Sequence, residues 1–394
     1  MTTHRTDRWL VLQPPAVAFL GNRQPATAPA TAFRLPPTDH PPGAVAWIRY
    51  DDVITDHINH WGYPDHAPEQ ALPGTWCPVL TGAPYDQRPH AAAPHHSPSS
   101  LGPTFLVQIA QRAGGSQLRH VYSCARMRVA GLLFARVWSG PAESGEPVRE
   151  TIRRAVADNG ELLLRQSDET AQTINFNETT EVEAKFTLTA DAGLWEVSRH
   201  FAEALMSGRL TGFIPDVGNE MQRWSYPQVT FGLRRDGRSA GYAAFIRRTD
   251  GGYIVKYKLF TEDTLCRSET FDFGVTIEQS GFEEYLRQRL PDLTLTRLPD
   301  LVRTRFDVNV ISEATGHYFG IESDIVIAEG HRLSQLELEY HKSQATYQAS
   351  SDTIESELFR LKDLVDQELR SAGFEANFGY YSKLSFLRDI PVPS

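Results

Sequence analysis

The chain has 394 residues, enough for two domains at ~100 to 200 residues each. Its 41% hydrophobic and 22% charged residues supply a core and exclude a wholly disordered chain, and the net charge of −10 excludes bulk nucleic-acid binding through a basic surface. No apolar run reaches the ~20 residues of a membrane span, the longest candidate being broken by Arg126, Arg128 and Arg136. Three scattered cysteines form neither a disulfide framework nor a zinc spacing, and with a polar N-terminus that is poor signal-peptide material they fit a reducing cytoplasm. Oligomeric state is left open.

Residues 1–104 carry 17 of the 25 prolines and a His-rich stretch from His57 to His96, so they read as a partly disordered extension with short apolar pieces at Trp9–Leu12 and Ala44–Tyr50. Residues 105–177 read as a small β-rich region with strands at Phe105–Ile109 and within Val121–Val137, a turn at Gly114-Gly115-Ser116, a helix over Pro147–Ala157 and a strand at Glu161–Arg165. His57-x-x-His60 lacks the carboxylate-ordered context of a metal motif and reads as a solvated loop.

Beyond residue 177 two-residue alternation predicts eight strands: Glu181–Thr189, Gln228–Arg234, Tyr242–Arg248, Tyr253–Phe260, Ser268–Phe273, Val302–Val310, Gly320–Ala328 and Ser334–His341. Thr249-Asp250-Gly251-Gly252 is a hairpin turn between two of them. Helices are expected over Leu194–Ser207, Gly281–Leu290 and Thr353–Ser371, the last with Asp352 as N-cap and Gly373 as its stop. Trp195 and Trp224 read as core.

The ionic residues within these strands carry the functional signal. Side chains two apart share a face, so Glu181, Glu183 and Lys185 point one way, as do Lys256 with Lys258, Arg267 with Glu269, Arg303 with Arg305, and Glu337 with Glu339. Any one pair could be the wet face of an ordinary sheet. Around Lys256 and Glu337, however, the opposite face is large and apolar, so the charged faces share one surface or one interior. A closed barrel of about eight strands has an interior wide enough for one ligand. Lined with carboxylates and cations, it demands a metal and a polyanion: carboxylates are hard donors for Mg2+ or Mn2+, and lysine and arginine suit phosphate oxygens.

These residues resemble the CYTH, or triphosphate tunnel metalloenzyme, superfamily over about residues 178–390. Glu181-Val-Glu-Ala-Lys185 matches its Glu-x-Glu-x-Lys signature; Tyr242–Lys258 is similar to its arginine strand, turn and Thr-x-Lys-type strand; Arg267 and Glu269 to its Arg-x-Glu; Arg303 and Arg305 to its later basic strand; Asp324 to its acidic strand; and Glu337 and Glu339 to its late Glu-x-Glu. Tyr380-Tyr381-Ser382-Lys383 lies where the family has a C-terminal Ser-Tyr segment. Phe245 stands where members carry an arginine, with Arg234 or Arg235 the candidates to replace it, and Pro215–Trp224 has no match to the usual Asp-Thr strand.

The resemblance implies an α+β fold, an antiparallel eight-stranded β-tunnel with flanking helices, preceded by the Pro-rich, partly irregular, β-containing N-terminal region. It implies metal-dependent hydrolysis of a triphosphate-containing small molecule, inorganic or organic. Glu181, Glu183, Asp324, Glu337 and Glu339 would hold Mg2+ or Mn2+; Lys185, Lys256, Lys258 and Arg303 would stabilise the transition state; Arg247, Arg267, Arg305 and Lys383 would hold the substrate. The alternatives are an adenylyl cyclase releasing pyrophosphate, or a tunnel that binds a phosphorylated ligand without turnover and reports to the N-terminal half.

Overall fold

A computed structural model describes residues 6–13, 30–49, 60–63, 102–111, 116–127, 131–142, 145–165, 173–189, 193–216, 221–248, 251–345 and 350–391. The His-rich stretch, apart from the backbone of residues 60–63, and the Gly114-Gly115 turn lie outside them. The chain divides into two units: 1–174 with 312–316 and 343–350, and 175–311 with 317–342 and 351–394. Among the described residues no helix is long and apolar enough to cross a membrane.

The first unit holds an antiparallel sheet of seven strands: β1 (Thr6–Gln13), β2 (Ala30–Thr38), β3 (Val45–Arg49), β4 (His60–Tyr63), β5 (Gly102–Gln111), β6 (Gln117–Met127) and β7 (Gly131–Ala142), in the order β3-β7-β6-β5-β1-β2-β4. Alternate residues are buried on both faces: Leu10, Leu106, Tyr122 and Phe134 on one, and Val11, Val107, Val121 and Val137 on the other, against Ile152 and Ala155 of helix α1 (Val148–Arg165). The expected boundary at residue 104 therefore falls inside β5, and both expected regions share one sheet. Glu161–Arg165 is helical rather than a strand: the helix bends at Asn159 (φ −134°, ψ 26°) and continues.

The second unit is a closed antiparallel barrel. Its eight strands are β8 (Thr180–Leu188), β9 (Met221–Arg235), β10 (Arg238–Arg247), β11 (Tyr253–Leu259), β12 (Cys266–Val275), β13 (Leu301–Ser312), β14 (His317–Ala328) and β15 (His331–Gln344). They run β13-β14-β15-β8-β12-β11-β10-β9, and β9 closes the ring on β13. Closure comes from a change of partner along β9: Met221–Gln228 pairs with β13 and Gln228–Arg235 with β10. Pro227, with no N–H to donate, sits beside that switch.

Outward side chains build two cores. Helices α2 (Leu194–Met206) and α4 (Ile354–Ser371) set Val197, Phe201, Leu358, Leu361 and Val365 against Val182, Ala184, Phe186, Leu336 and Leu338. Helix α3 (Phe282–Arg289) sets Phe282 and Leu286 against Val229, Phe231, Phe245 and Val255. The α4 N-cap is Thr353, with no side-chain cap bond, and Asp352 lies in the preceding 3-10 turn. Trp195 and Trp224 are about half exposed, not core, at 50% and 51%.

Phe245 explains the arginine that the strand lacks. Hairpin register sets Ala244 opposite Lys256 and Tyr242 opposite Lys258, so those four side chains share the inner face and Phe245 must point out. Its ring stacks on Phe282 at 3.8 Å with 3° between planes. Phe245→Ala is expected to cost about 3–5 kcal/mol in urea unfolding, and Phe245→Arg at least as much, with no gain in anion binding. An unchanged midpoint would show that this face is not core.

Candidate functional site: an ion-lined barrel interior

The alternation that sends apolar residues outward sends an ionic set inward, around a cavity of about 480 Å³. Glu181, Lys185, Lys256, Lys258, Arg267, Arg303, Arg305, Glu337, Glu339 and Lys383 line it. Glu183 and Asp324, both fully buried, bind the lining cations. Twelve of the thirteen expected site residues thus converge. Arg247 does not: it shares the outward parity of Phe245 and is exposed. Arg234 and Arg235 are exposed as well and do not line the cavity, so neither replaces the arginine.

The ion pairs form two groups. In one, Glu183 Oε1 accepts from Lys185 Nζ at 2.7 Å and from an Arg267 N–H at 2.7 Å. Lys258 pairs with Glu181 and lies 3.3 Å from Glu269, which also forms an ion pair with Lys256 at 2.8 Å. In the other, Glu337 accepts from Lys185 (2.5 Å), Arg303 (3.0 Å), Arg305 (2.8 Å) and Lys383 (2.7 Å). Arg305 also engages Glu322, and its Nε donates to Asp324 at 3.0 Å. Lys383 reaches Asp324 at 3.0 Å from the first turn of helix α5 (Lys383–Asp389), whose N-cap Ser382 accepts from the Ser385 N–H.

Burial would raise Glu337, but Lys185, Lys383 and Arg305 reverse this and hold it well below the usual carboxylate range. Glu339 is the opposite case: burial and the charges of Glu322 and Glu181 push it well above that range, because its nearest cation, Arg305, stands 4.0 Å away. Burial and Glu322 raise Asp307 to about 7.

Glu339 belongs to two ligand-type clusters, one with Glu181 and Glu183 and one with Glu322 and His341; within each, the donor atoms lie within 4.8 Å of one another. Both sets suit a divalent cation. The first offers three hard carboxylates, and Glu183 Oε2 is buried without a hydrogen-bond partner. The second adds an imidazole, His341 Nε2 standing 3.3 Å from Glu322, and beside it the buried Asp307 Oδ1 has no hydrogen-bond partner.

Glu322, Asp307 and His341 were absent from the residues expected on sequence. The signal was available, since each continues a two-residue pattern: Glu322 with Asp324, Asp307 after Arg303 and Arg305, and His341 after Glu337 and Glu339. The aromatic lining residues Trp224, Tyr226 and Phe271 carried no comparable mark.

No sequence-family profile matches the chain, and no curated protein matches it by sequence. Solved structures do align. HpAC1 from Hippeastrum, named for adenylyl cyclase and described by its dominant triphosphatase activity, shares 11% identity over 54% of this chain and 97% of its own, with a TM-score of 0.32. A Bacillus halodurans protein assigned as an adenylate cyclase gives 11%, 54%, 97% and 0.29. The S. pombe RNA triphosphatase Pct1 gives 12%, 50%, 81% and 0.21. At these scores the likenesses assign no activity to this chain.

Proposed function

We propose that the barrel is a CYTH-type triphosphate tunnel that hydrolyses a triphosphate-containing substrate with a divalent metal. The observation that carries this reading is the sorting of charge inside the closed barrel, where two carboxylate clusters sharing Glu339 stand beside a wall of lysines and arginines. A simple anion receptor would be weakened by those carboxylates, whereas a metal–polyphosphate complex needs both signs.

Glu181, Glu183 and Glu339 would hold one cation, and Glu322, Glu339 and His341 a second; when bound, the metal neutralises charge on phosphoryl oxygens. Lys256, Lys258, Arg303 and Arg305 present N–H donors that barrel strands hold in place, matching the charge spread over the transferred group in a loose transition state. In the ligand-free barrel these donors are spent on carboxylates. A cation held by Glu181 and Glu183 would weaken their hold on Lys258 and Lys185 and leave those ammonium groups to phosphate. Water adds to the terminal phosphorus as the bridging P–O bond breaks, giving orthophosphate and a shortened chain.

Phosphate release from tripolyphosphate or ATP by the full chain is expected to need added metal and to stop in excess EDTA. Imidazole is a better ligand for Mn2+ than for Mg2+, so Mn2+ should saturate at a lower concentration, and His341→Ala should narrow the gap. Release that persists in EDTA would contradict the reading. Chromatography of the ATP incubation separates it from cyclisation, which gives pyrophosphate and a cyclic nucleotide.

A second reading, binding without turnover, draws on one observation: β10 contributes Tyr242 and Ile246 to the lining and no cation. Saturable calorimetric binding of tripolyphosphate with Mn2+, and no phosphate over hours, would favour it.

A further inference from the structure

The ionic clusters leave one part of the cavity wall unexplained. Trp224 lines the same cavity yet is 51% exposed, and Phe271, also lining it, is 40% exposed. Large apolar rings at the wet edge of an otherwise ionic cavity do nothing for an inorganic chain of phosphates. Their placement is specific. Across the seam that closes the barrel, Trp224 is the register partner of Arg305 and Tyr226 that of Arg303. Arg303 donates to the Tyr226 hydroxyl at 3.2 Å, and Trp224 Nε1 donates to Asp307 Oδ2 at 2.9 Å, which fixes the indole. In the same lining, Lys256 Nζ lies 5.5 Å from the centroid of Phe271. Cations for phosphate and rings for stacking thus stand side by side.

We propose that Trp224, supported by Tyr226 and Phe271, forms a stacking subsite for a flat aromatic ring attached to the triphosphate, so that the substrate class is nucleoside triphosphates rather than inorganic tripolyphosphate. This rests on the triphosphate reading of the cavity. Stacking on an aromatic side chain tolerates any base because every base presents a π-face, so the subsite selects for a ring and not for its identity.

The test compares ATP with tripolyphosphate on the full chain with Mn2+, by calorimetric affinity and by kcat/KM. The wild-type protein is expected to prefer ATP. Trp224→Ala should lower the ATP-to-tripolyphosphate ratio about tenfold, while Trp224→Phe, which loses the N–H but keeps a ring, should hold most of it. Phe271→Ala, at an exposed position, carries the same comparison at a smaller size and serves if Trp224→Ala does not fold. A ratio unchanged in the alanine variants, or a wild-type preference for tripolyphosphate, overturns the subsite. A calorimetric ratio that falls as expected while no phosphate is released from either compound upholds the subsite and refutes hydrolysis.

Discussion

Glu339→Gln is expected to lower phosphate release at least a hundredfold while making the metal-free protein more stable. Two facts about one side chain drive this. Its carboxylate is shared by both candidate metal clusters, so its loss removes a ligand from each. Losing a charge that acts in the transition state costs about 3 kcal/mol or more of barrier, at ~1.4 kcal/mol per tenfold. The same carboxylate is partly buried near Glu181 and Glu322, with its closest cation, Arg305, 4.0 Å off. Replacing it with a neutral amide of the same shape relieves desolvation and like-charge repulsion, worth about 1 kcal/mol or more in urea unfolding. Mn2+ should raise the melting temperature of the wild-type protein, since ligand bound only to the folded state stabilises it, and should do so far less in the variant. A variant that is inactive and also less stable would place Glu339 among the structural groups.

Arg305→Met is expected to produce the largest stability loss of any single change in the lining. Arg305 engages Glu322, Asp324 and Glu337 together, all three almost fully buried. Removing one partner of a buried ionic network leaves carboxylates without compensation, and such losses run about 3–5 kcal/mol. For a unit of this size that lowers the melting temperature by about 10 °C. Differential scanning calorimetry of the metal-free chain measures it. Arg305→Lys should recover only part, because an ammonium cannot reproduce the guanidinium's fork of donors. A shift under 2 °C for Arg305→Met would mean that the network is solvated and contributes little.

Much of the barrel was legible as periodicity. Each of the eight expected strands is present, and alternation by itself assigned Lys256, Lys258, Glu337 and Glu339 to the face opposite the apolar residues. Parity within a strand is local, since successive side chains must point to opposite faces whatever the strand packs against. What alternation could not say is which neighbouring strand shares a face with which. The family resemblance placed Arg247 in the site and made Phe245 look like a lost arginine, and alternation within one strand could not test that alignment. The hairpin register Ala244 to Lys256 reverses both, because a slip of one residue exchanges every side chain between faces.

In the N-terminal half, proline content argued for irregular structure, yet residues 6–13, 30–38 and 45–49 are strands of the same sheet as residues 102–142. Proline count reports local breaks; it is silent on pairings between segments separated by fifty residues or more. Carboxylate identity and spacing along β8, β14 and β15 were written in the chain. The convergence of Glu181, Glu183, Glu322, Glu339 and His341 was decided by the pairing of β15 with β8 on one side and β14 on the other, which alternation cannot name, and the setting of Trp224 beside Arg305 was decided only when β9 left β10 and closed the ring on β13.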